Sequence, residues 1–212
     1  MSGNDSRIAL VLASGGVETA ALLHELTAVG DTVRAVFLDY GQRPADMERR
    51  GAQAQCRATG AELEVLEMAA VGAAFEAGHY RHHHIPLPHR NLVAMSLGLS
   101  LAEKRGAQRL VAGLTADDGA ASASASRQFF EDLRRLARGL GGPAVEAPLL
   151  AAGKAEVVRR GADLGVDFSH TYSCLLGYAR PCGRCPQCRK RAAAFAAAGV
   201  SDPACRLREG EP

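Results

Sequence analysis

At 212 residues the chain can bury one sizeable core, with room for a small appended module. Apolar residues make up 47% and charged residues 23%, and the formal charge of +2 is too small to argue for nucleic acid or an anionic membrane. No run of about 18 apolar residues occurs, and residues 1–5 are polar with no apolar segment behind them, so no transmembrane helix or secretory signal is expected and the cytoplasm is the expected compartment.

The first two-thirds reads as strands alternating with helices. Residues 8–12 are a short apolar run fit for a buried parallel strand. Gly15 and Gly16 break the chain, and residues 17–29 follow with helical apolar spacing. Residues 33–38 are a second apolar run, and 44–59 read as a polar-faced helix ended by Gly60. Residues 63–66 form a weaker third strand, 91–105 a strong helix closed by Gly106, and 109–114 another strand. Residues 116–126, rich in Ala, Ser and Asp, read as a flexible loop. After Gly142-Pro143 the pattern changes; residues 153–164 form one more helix, and a cysteine-rich segment follows. Alternation of this kind predicts a doubly wound parallel α/β sheet with helices on both faces, its ligands outside the carboxyl ends of the strands. We expect a first domain over residues 1–145 and a small helical, metal-binding C-terminal segment over 146–212.

The turn after the first strand carries chemistry. Its glycines let backbone approach a ligand closely, and the free N–H groups at the start of the next helix favour an anion. Ser14 and Thr19 add hydroxyl donors. Together they read as a cradle for phosphate or pyrophosphate, or, without a ligand, as a tight turn. No Gly-Lys-Ser/Thr follows, so the turn is not a Walker loop.

Four of six cysteines lie between Cys174 and Cys188, with the spacing Cys174-x₇-Cys182-x₂-Cys185-x₂-Cys188. Disulfides do not suit a chain this long with no secretory signal. Four thiolates with no open position predict a structural Zn²⁺, with an iron–sulfur cluster as the alternative. Arg180, Arg184, Arg189, Lys190 and Arg191 surround the segment, as a nucleic-acid ribbon or as a solvated charged surface would. Cys56 stands apart and reads as a helix core residue, and Cys205 is isolated. His79, His82, His83, His84 and His89 crowd one stretch, as a metal site or as a loop lining a pocket.

Ser14-Gly15-Gly16-Val17-Glu18-Thr19 resembles the Ser-Gly-Gly-x-Asp-Ser loop of the pyrophosphatase-loop ATP enzymes. Within that group the chain resembles the 7-cyano-7-deazaguanine synthase family, which serves queuosine and archaeosine precursor biosynthesis. Leu38-Asp39-Tyr40-Gly41-Gln42-Arg43 matches its Asp-Tyr-Gly-Gln-Arg, and Pro88-His89-Arg90-Asn91 its Pro-x-Arg-Asn. Tyr172-Ser173-Cys174, and Cys182 through Arg191 with Phe195, match its zinc segment. The resemblance runs from about residue 7 to 204.

The resemblance implies an ATP-dependent carbon–nitrogen ligase. In that family ATP adenylates the carboxylate of 7-carboxy-7-deazaguanine and releases pyrophosphate; ammonia forms the amide, and a second ATP-dependent step dehydrates it to the nitrile. It implies catalytic roles for Ser14, Glu18, Arg90 and Lys154. Glu18 would help place Mg²⁺, and Arg90 and Lys154 would offset negative charge. Nucleotide contacts would come from Ser14, Gly15, Gly16, Val17, Glu18, Thr19, Asp39, Tyr40, Gln42 and Arg43, although Asp39 could instead cap a turn and Lys154 lie on the surface. The partners are a small-molecule carboxylate and ammonia, in a homodimer.

Two departures stand out. Glu18 and Thr19 replace the usual Asp and Ser, keeping the carboxylate and the hydroxyl. Ala123-Ser124-Ala125 stands where the family carries Tyr-Pro-Asp near its substrate pocket, which removes an acid that a guanine-like base would use. Asp117 or Asp118 is the expected replacement. The competing readings are a paralogue that adenylates a different substrate, and a nucleotide-binding protein without catalysis.

Overall fold

The computed structural model describes residues 7–76 and 87–204; His79, His82, His83, His84 and Cys205 lie outside them. In chain order the elements are β1 (Ile8–Leu12), α1 (Val17–Ala28), β2 (Thr32–Asp39), α2 (Ala45–Thr59), β3 (Glu62–Glu67), α3 (Ala69–Glu76) and α4 (Arg90–Lys104). Then come β4 (Arg109–Ala112), α5 (Ala116–Ala121), α6 (Arg127–Gly139), β5 (Ala144–Glu146), α7 (Lys154–Asp163) and α8 (Pro186–Ala198).

β1 is apolar on both sides, as a central parallel strand must be. It pairs with β2, Leu10 opposite Arg34, and with β4, Leu10 opposite Leu110. β3 adds outside β2 and β5 outside β4, so the sheet is parallel throughout, in the order β3-β2-β1-β4-β5. The chain winds outward from β1 to β3, then returns to place β4 on the other side of β1. That reversal opens a crevice at the carboxyl ends of β1 and β4, where ligands of such sheets bind.

Alternation along the strands divides the core in two. Ala9, Val11, Ala35 and Phe37 pack with Val17, Leu22 and Leu23 of α1, Ala52 of α2, Val157 of α7 and Phe195 of α8. Leu10, Val36, Leu110 and Val145 face the other way, against Met95 and Ala102 of α4 and Phe130, Leu133 and Ala137 of α6. Helices thus cover both faces, as the strand–helix alternation predicts.

Residues 116–126 are more ordered than expected of a loop. Thr115 and Asp118 form a capping box that starts α5, a 3-10 turn follows over Ala123–Ala125, and the Ser126 hydroxyl accepts from Phe129 N to cap α6. Alanine, read as filler between strands, is here the strongest helix former. The α6 helix was not foreseen, although Phe130, Leu133 and Ala137 carry its apolar stripe.

The segment after α8 is tied back by a buried cation. Arg191 of α8 is 3% exposed, and its Nε and Nη2 donate to both carboxylate oxygens of Asp202 at 3.0–3.1 Å. Its other N–H groups reach Thr171 O, Thr171 Oγ1 and Phe168 O. Phe168 and Phe195 meet edge to face beside it, their centroids 5.1 Å apart. Arg191→Met should take this cation from the Asp202 carboxylate, and removing one partner of a buried pair costs about 3–5 kcal/mol. Equilibrium urea unfolding should record a loss of that order; a loss under about 1 kcal/mol would show that the pair is dispensable.

Candidate active site between the glycine turn and the cysteine knot

The turn from β1 into α1 is built on Gly15. Its φ is +70°, and a Cβ there would lie 2.0 Å from the Glu48 carbonyl oxygen, so only glycine fits. Gly16 is the N-cap of α1 in an extended conformation, with room for a Cβ that would meet Ser14 Oγ and Glu18 Oε2 at 3.4 Å. Ser14 N donates to Thr19 Oγ1 at 3.2 Å, and the two hydroxyls lie 2.9 Å apart. The side chains therefore brace the loop while the start of α1 faces the crevice.

That crevice holds a cleft of about 240 Å³. Ser14, Gly16, Glu18 and Thr19 line it, and so do Tyr40, Gln42, Arg90 and Lys154. Leu12, Val36, Leu38, Met95 and Leu114 make an apolar floor. Gly15, Val17, Asp39 and Arg43 do not line it. Val17 is wholly buried in the core. Asp39 accepts from Gly41 N at 3.1 Å and pairs with Arg49, so it caps the turn after β2. Arg43 is exposed and stacks over the Tyr178 ring.

Glu18 and Lys154 meet across the cleft, Nζ to Oε1 2.5 Å, with both side chains largely buried. Lys154 is the first residue of α7, where the helix dipole disfavours a cation. Two carboxylates compensate: Glu18 at the ammonium and Asp117, whose Oδ2 accepts from Lys154 N at 3.0 Å. Arg90 likewise opens α4, after His89 in the left-handed region at φ +49°, and it donates to Tyr40 Oη at 3.2 Å. Asn91 Nδ2 donates to Ser124 O at 3.1 Å, which ties the 3-10 turn to this helix.

Two acidic residues join the lining beyond Glu18. Asp118 Oδ2 is held by Thr115 N and Oγ1 in the capping box. Glu48, which the sequence reasoning missed, enters from α2 and accepts from Gln42 Nε2 at 3.1 Å. Burial pushes its carboxyl above the usual carboxylate range, against the pull of Gln42 and Arg90. Two cations against three carboxylates leave the lining no net positive surplus.

Beyond the cleft, the sulfurs of Cys174, Cys182, Cys185 and Cys188 lie within 4.8 Å of one another, a group able to hold a metal ion. Backbone N–H groups of Cys182, Cys185 and Cys188 point at the sulfurs of Cys174, Cys182 and Cys185 at 3.3–3.4 Å. Partial burial works against the Cys182 thiolate, yet backbone N–H groups from Arg184 and Cys185 outweigh it and bring that thiol down to about 6. Tyr172 and Ser173, just before Cys174, and Gln187, just before Cys188, also line the cleft. Tyr172 N donates to Gly15 O at 2.9 Å, joining knot to glycine turn. Cys56 is buried in the core and its thiol is pushed up to about 11 by that burial, so it offers no thiolate.

Comparison with known proteins gives a consistent relationship. The 7-cyano-7-deazaguanine synthase of Xanthomonas campestris pv. campestris is 38% identical, covering 92% of this chain and 96% of the relative. The 7-cyano-7-deazaguanine synthase 1 of Sulfurisphaera tokodaii is 30% identical over 92% and 96% of the two chains. Among solved structures, the U34-tRNA thiolase NcsA from Methanococcus maripaludis, described with its [4Fe-4S] cluster, aligns at TM-score 0.59 and 14% identity, over 99% of this chain and 74% of that one. NMN synthetase from Francisella tularensis also aligns at 0.59 and 14%, over 93% and 79%. At such identities the likeness is one of fold. Residues 8–199 match the family described as queuosine biosynthesis protein QueC, and the chain belongs to that family.

Proposed function

We propose that this chain is an ATP-dependent synthase that activates the carboxylate of 7-carboxy-7-deazaguanine and, with ammonia, converts it to the nitrile. The observation that carries the reading is the cleft of a QueC-family chain in which the Ser14–Thr19 cradle faces the Glu18–Lys154 pair. A carboxylate oxygen is a poor leaving group and AMP a good one. The protein's task is then to align the acid with the α-phosphate and to offset charge as pyrophosphate departs. The start of α1 and the hydroxyls of Ser14 and Thr19 would hold phosphate oxygens, and Arg90 would face the developing charge. Bound Mg²⁺ would supply Lewis-acid compensation of the phosphates. Glu18 would hold that cation while Lys154 turns to phosphate, so each exchanges its present partner for another of the same sign. No observation favours a different acyl substrate or a chain without catalysis.

The direct test is AMP and pyrophosphate release with 7-carboxy-7-deazaguanine, ammonia and Mg²⁺. The parent chain should release both, and Lys154→Met should lower kcat by about 10²–10³, the usual effect of removing one charge-stabilising group. Release that ignores the deazaguanine acid would overturn the proposed substrate.

Gly16→Val should fold, because its Cβ site is open, yet lose ATP binding, because the side chain occupies the cradle. Gly15→Val should fail to fold, because it combines a strained φ with a backbone clash. Calorimetry with ATP and thermal melting separate the two; unchanged ATP affinity in Gly16→Val would remove the cradle from this account.

Zinc suits the knot. Four sulfurs about 2.3 Å from one tetrahedral ion lie about 3.8 Å apart. The Cys182 and Cys188 sulfurs are 4.0 Å apart. A four-iron cluster gives each thiolate a different iron and spreads them further. The purified protein should hold about one Zn²⁺ per chain, and Cys185→Ser should lower stability before it touches chemistry. Visible absorbance with stoichiometric iron would overturn this assignment.

A further inference from the structure

Glu48 is a cleft carboxylate with no ion pair among the described residues and with one oxygen left unspent. Its backbone is fixed, because α2 packs so closely on the glycine turn that the Glu48 carbonyl excludes a side chain at Gly15. Gln42 fixes its side chain: one Nε2 hydrogen goes to Leu38 O and the other to Glu48 Oε2, both at 3.1 Å. Gln42 Oε1 accepts from Tyr40 N at 2.9 Å, so that amide cannot turn round. Glu48 Oε1 has no hydrogen-bond donor among the described residues. The other acids have other tasks: one Glu18 oxygen meets the Lys154 ammonium, one Asp118 oxygen takes both Thr115 N and Oγ1 in the capping box, and Asp117, off the cleft wall, takes Lys154 N. The 3-10 turn at Ala123–Ala125 brings no acid to the cleft, and Asn91 occupies its Ser124 carbonyl.

We infer that Glu48 reads the substrate base, its carboxylate accepting from the N1–H and 2-amino donors of the 7-deazaguanine ring. Those two donors lie side by side on one edge, and a carboxylate offers two acceptors at matching separation. Arg90, which lines the same cleft, would donate to the 6-oxo group beside them. The acid missing before α6 is thus supplied from α2, on the opposite side of the sheet. The inference rests on the proposed substrate.

Glu48→Gln makes the test sharp. The new amide keeps the Gln42 bond by accepting it with its oxygen, which turns its N–H₂ toward the base and sets donor against donor. The readout is the ratio of kcat/KM for 7-carboxy-7-deazaguanine to kcat/KM for the analogue with oxygen in place of the 2-amino group. The parent should favour the amino compound at least 10-fold, and Glu48→Gln should cut that ratio by about one to two decades, as leaving a buried polar group unmatched does. Glu48→Ala should bring the ratio toward one. Melting temperature and zinc content report folding; should one variant unfold, the other and the parent ratio decide. A parent that does not turn over the deazaguanine acid fails the proposed function itself. A parent that turns over both compounds equally, or a folded variant that keeps the parent ratio while its overall rate falls, overturns the role of Glu48 and leaves the function standing.

Discussion

The architecture depends on one close approach, where α2 and the C-terminal segment both meet the backbone of Gly15. Gly15 takes a positive φ, presses on the Glu48 carbonyl and gives its own carbonyl to Tyr172 N. Gly51 completes the contact from α2, since a Cβ there would lie 2.8 Å from Gly15 O and 2.9 Å from His170 O. Two glycines thus let three segments, far apart in sequence, converge on one peptide. The cradle, the Glu48 side chain and the Tyr172–Ser173 wall are positioned together as a result. A side chain at either glycine would displace all of them.

This convergence gives the cysteine knot its purpose. The segment from Thr171 to Cys185 has no regular secondary structure of its own, so its backbone must be fixed by other means. Arg191 holds the near end through Thr171 and Phe168, and the four sulfurs gather the far end. Tyr172 lies between them, its hydroxyl donating to Tyr178 O at 2.8 Å. A metal at the knot would therefore act on the cleft through position and not through its charge. That agrees with a ligand set that leaves no open coordination site.

The sheet was legible because its central strands are short apolar runs, and the order of glycine turn, helix and strand left few alternatives. What escaped was short or ambiguous in period. β5 has three residues, too few for a pattern, and α5 is written in alanine, aspartate and glycine, which read equally well as loop. The glycine-turn side of the cleft was legible because its lining residues, Ser14, Gly16, Glu18 and Thr19, fall within one short stretch. Asp39 and Arg43 belong to the same motif as Tyr40 and Gln42, yet they point elsewhere: the chain bends at Tyr40 and at Gly41, whose φ is +81°, and a motif does not say which side chains the bend turns into the cleft. Glu48 was hidden for the converse reason. It sits in a charged stretch, Asp46-Met47-Glu48-Arg49-Arg50, that reads as a solvated helix face until the tertiary contact with Gly15 turns one acid inward.

The charges of the cleft follow one rule. Both cations, Arg90 and Lys154, stand at the first position of a helix, where the dipole opposes them, and each is held there by an oxygen donated from elsewhere: Tyr40 for Arg90, Glu18 and Asp117 for Lys154. The starts of α1, α4 and α7 all face the cleft, so their backbone N–H groups and the two side-chain cations add to one positive field. The acids temper that field while no anion is bound. Glu18 pairs with a cation, which on the proposed reading it would release to a phosphate, whereas Glu48 is held by a neutral amide and has no ion pair among the described residues. On the proposed reading the cleft would separate two tasks: the Glu18 side would take an incoming anion with its metal ion, and the Glu48 side neutral hydrogen-bond donors.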